Sequence, residues 1–307
     1  SYLMFSRYFF YMIISKTAVM TDSNSGITPE EGKKIGIYSL PMPVIIEGDV
    51  FYEGKNITQE EYYGAMTSGK NVTTSQPSPG DVMDMWDGIL KEGYEQVVYI
   101  PMSSALSASC HAAIQLSEEY DGKVQVVDDH RISVTMRESV LEAKWMANQG
   151  MTAEEIKKKL EENAYNSSIY IAVDTLEYLK KGGRVTAAGA AIGAVLNIKP
   201  VLTIQGEKLD AFTKVRGMKK AELKMLEAIE EDLNTRFADV DRKQLRLGAA
   251  GTFQKQEDAD QWYKMVKDTF ENEIDDIYYD SLSFSIGCHV GPNAIGIGIS
   301  VVTRDEK

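Results

Sequence analysis

Hydroxyl side chains cluster in the segment VTTSQPSP (72–79). Ser78 stands directly before a proline, which is the arrangement of a helix N-cap followed by proline in the first turn. Capping does not account for Thr73, Thr74 and Ser75, which precede the predicted helix. Because the two prolines restrict the backbone, these hydroxyls point in fixed directions and are candidate hydrogen-bonding groups for a ligand.

A second group of hydroxyls lies in the segment PMSSALSAS (101–109), between a strand pattern and a helical pattern. In an open α/β sheet, ligands bind beyond the carboxyl ends of the strands, where helix N-termini offer free N–H groups to an anion. One of Ser103 and Ser104 is expected to cap the helix. Since four serines exceed what a cap requires, Ser107 and its neighbours are candidates for a polar binding site.

Cationic, amide and imidazole side chains stand beside glycines and predicted strand ends in the second half of the chain. Arg184 follows a glycine pair, Asn197 lies in LNIKP, and Arg216 lies in KVRG. Such charges can reach a cleft, although an ion pair with a carboxylate explains the two arginines at least as well. His289 is placed at a strand end before a Gly-Pro turn. It is either a structural hydrogen-bonding group or the side chain that orients nearby hydroxyls.

The chain has two cysteines, and each is followed by a histidine, at 110–111 and at 288–289. Two cysteines are too few for a disulfide framework and suit a reducing cytoplasm. Neither pair has the C-x-x-C or H-x-x-x-H spacing of a zinc site, and adjacent residues on a strand point to opposite faces. We therefore predict no metal site.

A serine esterase or acyltransferase that uses Ser104 or Ser107 with His289 is an alternative function. It requires a hydrogen bond between the serine and the histidine, and an acid that orients the histidine. The sequence lacks a G-x-S-x-G nucleophile elbow, a Walker loop, a G-x-G-x-x-G motif and an H-E-x-x-H motif. Acids follow two predicted strands, at Asp22 and at Asp128-Asp129, where they suit either catalysis or the capping of turns.

The composition is that of an ordinary globular protein, with 43% hydrophobic and 26% charged residues. A length of 307 residues favours two domains over one. The formal net charge of -13 argues against a general affinity for nucleic acid or for an anionic membrane surface. An anionic ligand would therefore need a local group of donors.

The apolar and aromatic start of the chain, SYLMFSRYFFYMII, is interrupted by Ser6 and Arg7. It is shorter than the roughly 18 apolar residues that a spanning helix needs. No small-residue cleavage site follows it. We therefore expect neither a secretory signal nor a stable membrane anchor, and we place the natural start at Met12.

Strand-like and helix-like patterns alternate in the first half of the chain. The predicted strands are Thr17–Met20, Lys34–Leu40, Val97–Pro101 and Val124–Asp128. The predicted helices are 106–120, 132–148 and 153–164. The last of these opens with the capping-box pattern of Thr152 and Glu155. This alternation implies βαβ units and a parallel sheet, whereas Pro43–Gly54 predicts a hairpin that turns at Glu47-Gly48-Asp49.

From about Ser167 the pattern changes to hairpin-linked strands with separate helices. A short helix in DTLEYLKKGGR stops at the glycine pair, and the small-residue helix TAAGAAIGAVL follows. A hairpin in KPVLTIQGEKLDAFTKV turns near Gly206, and helices are predicted at 218–237 and 257–272. LRLGAAG, LSFSIGC and AIGIGISVV are predicted strands. Together they indicate an α+β lobe with an antiparallel sheet.

The chain is therefore predicted to have a two-lobed α/β fold. The N-terminal lobe, 12–165, carries a parallel sheet and a small hairpin insertion at about 43–72. The C-terminal lobe, 166–307, is α+β with a largely antiparallel sheet. Since no low-complexity linker separates the lobes, we expect them to pack closely.

Seven segments, in this order, resemble the DegV family of bacterial fatty-acid-binding proteins. They are VMTDSNSGIT, TTSQPSPGDV, PMSSALSAS, LEYLKKGGRV, LNIKPVL, KVRG and HVGPNAIGI. They extend from residue 17 to about residue 300, and the combination of TSQPS, GGR before LNIKP, and HVGP is specific. The resemblance implies a two-lobed fold that buries a long-chain fatty acid between the lobes, without catalysis by the chain itself.

The resemblance also implies roles for individual residues. Those implied to bind the carboxylate are Thr74, Ser75 and His289, together with Ser104 or Ser107. Those implied to support them are Arg184, Ser103 and Asn197. Arg216 resembles a docking residue for a separate fatty-acid kinase, to which some members present the acyl group for acyl-phosphate formation.

The ligand implied by the resemblance is an acid similar to palmitate, stearate or oleate, with no cofactor and no metal, in the cytoplasm. Burial of each methylene contributes about 0.8 kcal/mol, so a long acyl chain supplies affinity while the polar end fixes orientation. The segment TAAGAAIGAVL would either let an acyl tunnel pass close to the backbone or pack tightly against its neighbours. A small-molecule-binding regulatory module is a further alternative function.

Two positions depart from the family pattern. LSAS stands where LSGT is usual, so Ala108 and Ser109 change the backbone beside the serine site. Asp129 stands where serine is usual and adds a negative charge. A carboxylate ligand would be repelled by this charge, so we expect Asp129 to face outward or to pair with a cation.

Overall fold

The computed structural model describes residues 16–192 and 196–306. The expected start at Met12 and the expected absence of an N-terminal anchor concern residues outside this description. The described part forms strands in three sheets, with helices between and around them.

The bounds of the elements follow the chain. The strands are β1 (Thr17–Asp22), β2 (Tyr38–Leu40), β3 (Pro43–Ile46), β4 (Asp49–Tyr52), β5 (Val72–Thr74), β6 (Gln96–Ile100), β7 (Val124–Val126), β8 (Ser167–Ala172), β9 (Ile198–Ile204), β10 (Asp210–Arg216), β11 (Leu245–Gly251), β12 (Asp276–Ser281) and β13 (Ile295–Val301). The α-helices are α1 (Pro29–Ile35), α2 (Gln59–Thr67), α3 (Pro79–Lys91), α4 (Ser109–Ser117), α5 (Ser133–Asn148), α6 (Ala153–Glu162), α7 (Glu177–Gly182), α8 (Ala187–Ala190), α9 (Met218–Asn234), α10 (Gln256–Phe270) and α11 (Phe284–Val290).

The first sheet is parallel, with the strand order β2-β1-β6-β7. All six residues of β1 are buried. One face of the sheet packs on α5, and the other packs on α3 and α4. Burial on both faces is the usual environment of a parallel sheet and explains its continuous apolar strands.

The predicted hairpin is present and belongs to a small antiparallel sheet with the order β4-β3-β5. Its turn contains Glu47 and Gly48, both with positive φ, as a two-residue hairpin turn requires. β5 is the strand that enters the hydroxyl segment. The small sheet packs on α2 and α11 through apolar side chains, which fixes the position of Thr74 at the end of β5.

The third sheet has six strands in the order β10-β9-β8-β13-β11-β12. Its pairs are antiparallel except for β11 with β12. One face is covered by α9 and α10, and the other faces α5. The predicted fold class, an α/β protein with a parallel sheet and a largely antiparallel sheet, is confirmed. The exact domain boundary near residue 165 stays a prediction.

Helix α5 lies between the parallel sheet and the six-stranded sheet. It contacts β1 and β6 on one side and β8, β11 and β13 on the other. Gly248 and Gly298 are register partners on β11 and β13, and a Cβ atom on either would lie 2.6 Å from Val134 of the helix. Arg304, beyond β13, forms ion pairs with two glutamates of α5. The two sheets are thus joined through a shared helix.

The prediction of a strand at LSFSIGC (282–288) is wrong. The segment leads into helix α11. The Ser283 Oγ accepts a hydrogen bond from the Ile286 N–H at 3.3 Å and caps the helix. Phe284 stacks on Tyr62, with ring centroids 4.5 Å apart. The apolar alternation of the segment matches a strand, but the serine cap and this packing stabilise a helix. The strand beside β11 is instead β12.

Two other predicted bounds are wrong. Lys34 and Ile35 end helix α1 and do not begin β2, which starts at Tyr38. The helix predicted in TAAGAAIGAVL covers only α8, and residues 193–195 lie outside the described residues. A Cβ atom on Gly189 of α8 would lie 2.6 Å from Val185. Gly189 is therefore packed closely against Val185, whereas Ala187 and Ala188 are exposed.

No helix in the described part of the chain combines the length and the apolar composition that crossing a bilayer requires.

Candidate ligand-binding site

A cavity lies where the parallel sheet, α5, α11 and the six-stranded sheet meet. Its lining includes Asn24 and Met102, which follow the carboxyl ends of β1 and β6. The cavity has a volume of about 110 Å³, whereas one water molecule needs roughly 10–15 Å³ on the same measure. The cavity is therefore large enough for a ligand much larger than water.

Most of the cavity wall is aliphatic. The six-stranded sheet, together with Leu209 just before β10, contributes Ile169, Ile171, Ile204, Leu209, Ala250 and Gly296. Helix α11 contributes Ile286 and Val290, and Leu282 lies two residues before the helix. Such a wall suits an apolar chain, whose burial is favourable in proportion to the area removed from water.

The polar side chains of the wall gather around His289 at the C-terminal end of α11. The Thr74 Oγ1 and the His289 Nε2 are 3.2 Å apart. Thr74 ends β5, which is held to β3 by the small antiparallel sheet. The packing of this sheet on α11 thus brings together a threonine and a histidine that are 215 positions apart.

Arg184 connects this polar end with the loop before α4. Its Nη1 donates to the Gly182 carbonyl at 2.8 Å, and its Nε donates to the Leu106 carbonyl at 3.2 Å. Gly183 has a φ of 70° and ends helix α7, which turns the chain so that Arg184 points back toward the cavity. Arg184 is the one charged residue that lines the cavity in the described part of the chain.

Two predicted serine sites also reach the cavity wall. The Ser107 hydroxyl donates to the Ser109 Oγ at 3.1 Å and accepts from the Ser109 N–H at 3.2 Å. The Ser75 hydroxyl donates to the Gln76 carbonyl at 2.9 Å. Thr74, Ser75, Ser107, Arg184 and His289 are thus brought together at one end of the cavity.

The imidazole of His289 is neutral in this environment. Burial, together with the positive charge of Arg184, lowers the pKa of His289 from 6.5 to about 4. A neutral imidazole can accept a hydrogen bond from the Thr74 hydroxyl or donate one to it. The polar end therefore offers hydroxyls, an uncharged imidazole and one guanidinium, which together suit a single carboxylate.

A family model described as "Uncharacterised protein, DegV family" matches residues 16–302 of the chain. The chain belongs to the DegV family.

Its relatives cover almost the whole sequence. A DegV domain-containing protein of Deinococcus radiodurans is 28% identical over 92% of this chain and 97% of its own length. The structure of a DegV family protein from Thermus thermophilus, described as binding fatty acid, has 27% identity and a TM-score of 0.82, and the match covers 93% and 99% of the two chains. DegV from Bacillus subtilis, described as a fatty acid binding protein, has 26% identity and a TM-score of 0.79 over 93% and 99%.

Three predicted site residues of this DegV chain lie away from the cavity wall. Ser103 is buried, and its Oγ accepts from the Ala105 N–H at 3.2 Å. The Ser104 N–H donates to Asp128 at 3.4 Å, and Asn197 is exposed, with its carbonyl accepting from the Gly217 N–H at 2.8 Å. Their positions favour a role in shaping the neighbouring loops, and a role in ligand binding stays a prediction for them.

The prediction that Ser103 or Ser104 caps the next helix is wrong. Helix α4 begins only at Ser109, and its N-cap position is Ala108, which makes no side-chain cap. The hydroxyl that accepts from the first helical N–H is that of Ser107. In this DegV chain, Ser109 stands where the family pattern has threonine, and its hydroxyl lies beside that of Ser107.

Asp22 and Asp129, two of the acids that follow strands, are buried. Asp22 accepts hydrogen bonds from the N–H groups of Asn24 and Met102 at 2.8 and 2.9 Å, and so joins the ends of β1 and β6. Burial raises the pKa of Asp22 to about 6. Asp129 is buried and does not face outward; burial raises its pKa, and nearby Arg131 opposes that rise. Neither acid lines the cavity.

The hydrogen bond required for a serine esterase is not formed. The imidazole of His289 contacts Thr74, whereas Ser107 bonds to Ser109. No carboxylate in the described residues forms an ion pair with His289. No group of three or more His, Cys, Asp and Glu side chains within 16–192 and 196–306 is arranged to hold a metal ion.

Sequence reasoning did not identify most of the wall. Asn24, Ser133, Ser285 and Gly296 line the cavity but carried no prediction. The apolar lining residues are indistinguishable from core residues by type, since both are buried aliphatic side chains. The sequence did contain one indication of a helix here, because Leu282, Ile286 and Val290 repeat at helical spacing. The alternation of apolar and polar residues in the same segment favoured a strand instead.

Proposed function

We propose that the chain binds one long-chain fatty acid, with the acyl chain in the cavity and the carboxylate at the His289 end. The observation that carries this proposal is the distribution of polarity along the cavity. Hydroxyls, a neutral imidazole and one arginine meet at one end, and aliphatic side chains line most of the remainder. A long acyl chain with one carboxylate has the same distribution of polarity along its length.

The polar end is suited to orienting a carboxylate rather than to supplying most of the affinity. Each hydrogen bond to a charged group contributes roughly 1.5–3 kcal/mol, whereas each buried methylene contributes about 0.8 kcal/mol. A chain of a dozen or more methylenes therefore supplies the larger share. Arg184 offsets the ligand charge locally, although the chain as a whole carries a formal charge of -13.

The relatives support the same ligand class. The Thermus thermophilus and Bacillus subtilis proteins are described as binding fatty acid, and both share the fold over more than nine-tenths of this chain. The polar end in this chain is built from TSQPS, GGR and HVGP, the segments that carry the resemblance to the family.

We further propose that the bound acid is presented to a separate fatty-acid kinase in the cytoplasm, without catalysis by this chain. A surface groove lined by Lys70 and Lys181 shares Thr74, Arg184 and His289 with the cavity. A carboxylate at these three residues would therefore be reachable from the groove while its acyl chain stays buried. This arrangement suits transfer of a phosphoryl group to the carboxylate by a partner.

Arg216 is proposed as a docking residue for that kinase. It ends β10, the edge strand of the six-stranded sheet, and is exposed. It does not line the cavity. Leu196, in the loop that enters β9, is 93% exposed. Arginine is enriched at protein interfaces, and Leu196 adds exposed apolar surface at the same edge of the sheet.

Mass spectrometry tests the ligand directly. The protein purified from a bacterial host is measured in its native state and again after denaturation. We expect the native mass to exceed the chain mass by one fatty acid, and the denatured sample to release that acid unmodified. A bare chain mass, together with no uptake of added palmitate or oleate, would contradict the proposal. A covalent acyl adduct would instead support the esterase or acyltransferase alternative.

A further inference from the structure

The cavity follows one face of helix α11. Leu282, Ser285, Ile286, His289 and Val290 line it, at intervals of three or four residues that place them on the same side of the helix. His289, at the C-terminal end of this row, belongs to the polar end of the cavity. Leu282, at the other end of the row, is seven residues earlier and precedes the N-cap residue of the helix, Ser283. The cavity therefore extends from His289 toward the start of α11.

The floor below the start of α11 is formed by the six-stranded sheet. The Leu282 N–H donates to the Gly251 carbonyl at 3.0 Å. Gly251 follows Ala250, whose register partner on β13 is Gly296. Ala250 and Gly296 both line the cavity. They therefore lie near the end of the cavity that is opposite to His289.

Two glycines on the same face of β13 have different surroundings. Gly296 and Gly298 are two positions apart, so their missing side chains would point to the same side of the sheet. A Cβ atom on Gly298 would meet Val134 of α5 at 2.6 Å. A Cβ atom on Gly296 would meet no atom closer than 3.7 Å. The space above Gly298 is filled by the protein, whereas the space above Gly296 belongs to the cavity.

We infer that Gly296 sets the upper limit of acyl-chain length in this protein. The inference rests on the proposed function, because it requires the acyl chain to extend from the polar end along α11. With no side chain at position 296, the terminal methylenes can lie against the backbone of β13. A side chain there would occupy the far end of the cavity and would leave the carboxylate site unchanged.

The test compares the wild type with Gly296→Ala and Gly296→Val in binding saturated acids from decanoic to octadecanoic acid. Both variants should fold, because Gly296 does not have a positive φ and a Cβ atom fits there without displacing the backbone. We expect the longest acids to lose about fourfold in affinity for each methylene excluded, the change that corresponds to about 0.8 kcal/mol. The shortest acids should bind as in the wild type, and valine should have a larger effect than alanine.

Gly298→Ala is the matched control. It adds the same atom on the same face, but against Val134, so it should lower the melting temperature without changing the order of preference among acids. Equal weakening of all acids by Gly296→Val, or no change, would overturn the inference while leaving the proposed function intact. A wild type that binds no acid of any length would overturn the proposed function itself.

Discussion

In the proposed site, Thr74 and His289 would allow a negatively charged protein to hold an anion. The hydroxyl and the imidazole are both uncharged at neutral pH, since the pKa of His289 is lowered to about 4. Neutral donors carry a smaller desolvation cost than buried cations do. Arg184, the one cation among the described residues of the wall, already donates to two carbonyls, so its position is fixed before a ligand binds. Such preorganisation reduces the entropy lost on binding.

At the polar end, removal of single hydroxyls should weaken fatty-acid binding in a graded way. We expect Thr74→Val to raise Kd by roughly one to two orders of magnitude, because a hydrogen bond to a charged group contributes roughly 1.5–3 kcal/mol. Ser107→Ala should act in the same direction. Ser104→Ala is the matched control, because Ser104 does not line the cavity.

Isothermal titration with palmitate measures these changes, and an ester-hydrolysis assay is run on the same variants. Turnover by the wild type that disappears in one serine variant would contradict the carrier function. A loss on Ser104→Ala that equals the loss on Ser107→Ala would contradict the geometry described above.

The buried imidazole should also make stability depend on pH. The pKa of His289 is about 4 in the folded protein and 6.5 in the reference state, so the unfolded chain binds the proton more tightly. The contribution of neutral His289 to the free energy of unfolding is therefore present above pH 6.5 and is lost as the pH falls toward 4. It is on the order of 2–3 kcal/mol for a shift of this size.

Urea unfolding of the wild type and of His289→Gln between pH 7 and 4 measures the effect. The free energy of unfolding should fall more steeply in the wild type, because glutamine does not titrate. Asp22, whose pKa burial raises to about 6, acts in the opposite direction in both proteins and cancels in the comparison. Parallel curves would show that His289 is not the group responsible.

Among the elements, helix α7 positions the imidazole from the side opposite to Thr74. A Cβ atom on Gly182, its last residue, would lie 2.5 Å from the His289 Nδ1. Gly182→Ala should therefore displace the imidazole and raise Kd for palmitate at least tenfold. Gly64→Ala, within helix α2, is the control, because a Cβ atom there meets nothing within 4 Å.

The displacement should be visible as a change in the His289 imidazole resonances by NMR, with an unchanged circular dichroism spectrum. If Gly182→Ala bound palmitate with wild-type affinity, helix α7 would have shifted to accommodate the methyl group without moving the histidine. The control should bind palmitate normally and unfold at an equal or higher temperature, because alanine is the better helix former.

For the molecule as a whole, the proposed ligand site and the proposed docking residue Arg216 lie on different parts of the six-stranded sheet. The cavity faces α5, whereas Arg216 is exposed on the edge strand β10. Arg216→Ala should therefore leave palmitate affinity within about twofold, since surface substitutions usually change free energies by less than about 0.5 kcal/mol. It should slow acyl-phosphate formation by a cognate kinase at least tenfold.

Matched titration and kinase assays on the same preparations distinguish the two effects. Lys208→Ala, which removes a positive charge from the turn before β10, serves as the control for charge alone. Equal losses of binding and phosphorylation in Arg216→Ala would place Arg216 in the ligand site. Unchanged phosphorylation would contradict its role in docking.

The sequence by itself determined the elements whose signals are local. Alternating apolar runs and helical spacing predicted most strands and helices, as well as the parallel and antiparallel character of the two main sheets. The caps at Ser78 and Thr152 were also predicted, and both side chains accept the expected backbone hydrogen bond. These features depend on residues a few positions apart, so their causes are contained in the local sequence.

Only the tertiary structure decided which side chains meet at the cavity. Thr74 lies beside His289 because the small sheet packs on α11, and the same packing makes residues 284–290 a helix although their alternation favours a strand. Ser107 reaches the wall and Ser104 does not, because α4 begins at Ser109. Gly296 is open to the cavity while Gly298 is covered by Val134. The physical reason is the same in each case. The environment of each residue is made by chain segments that are distant in sequence, and close packing rather than residue type decides which side chains reach the cavity.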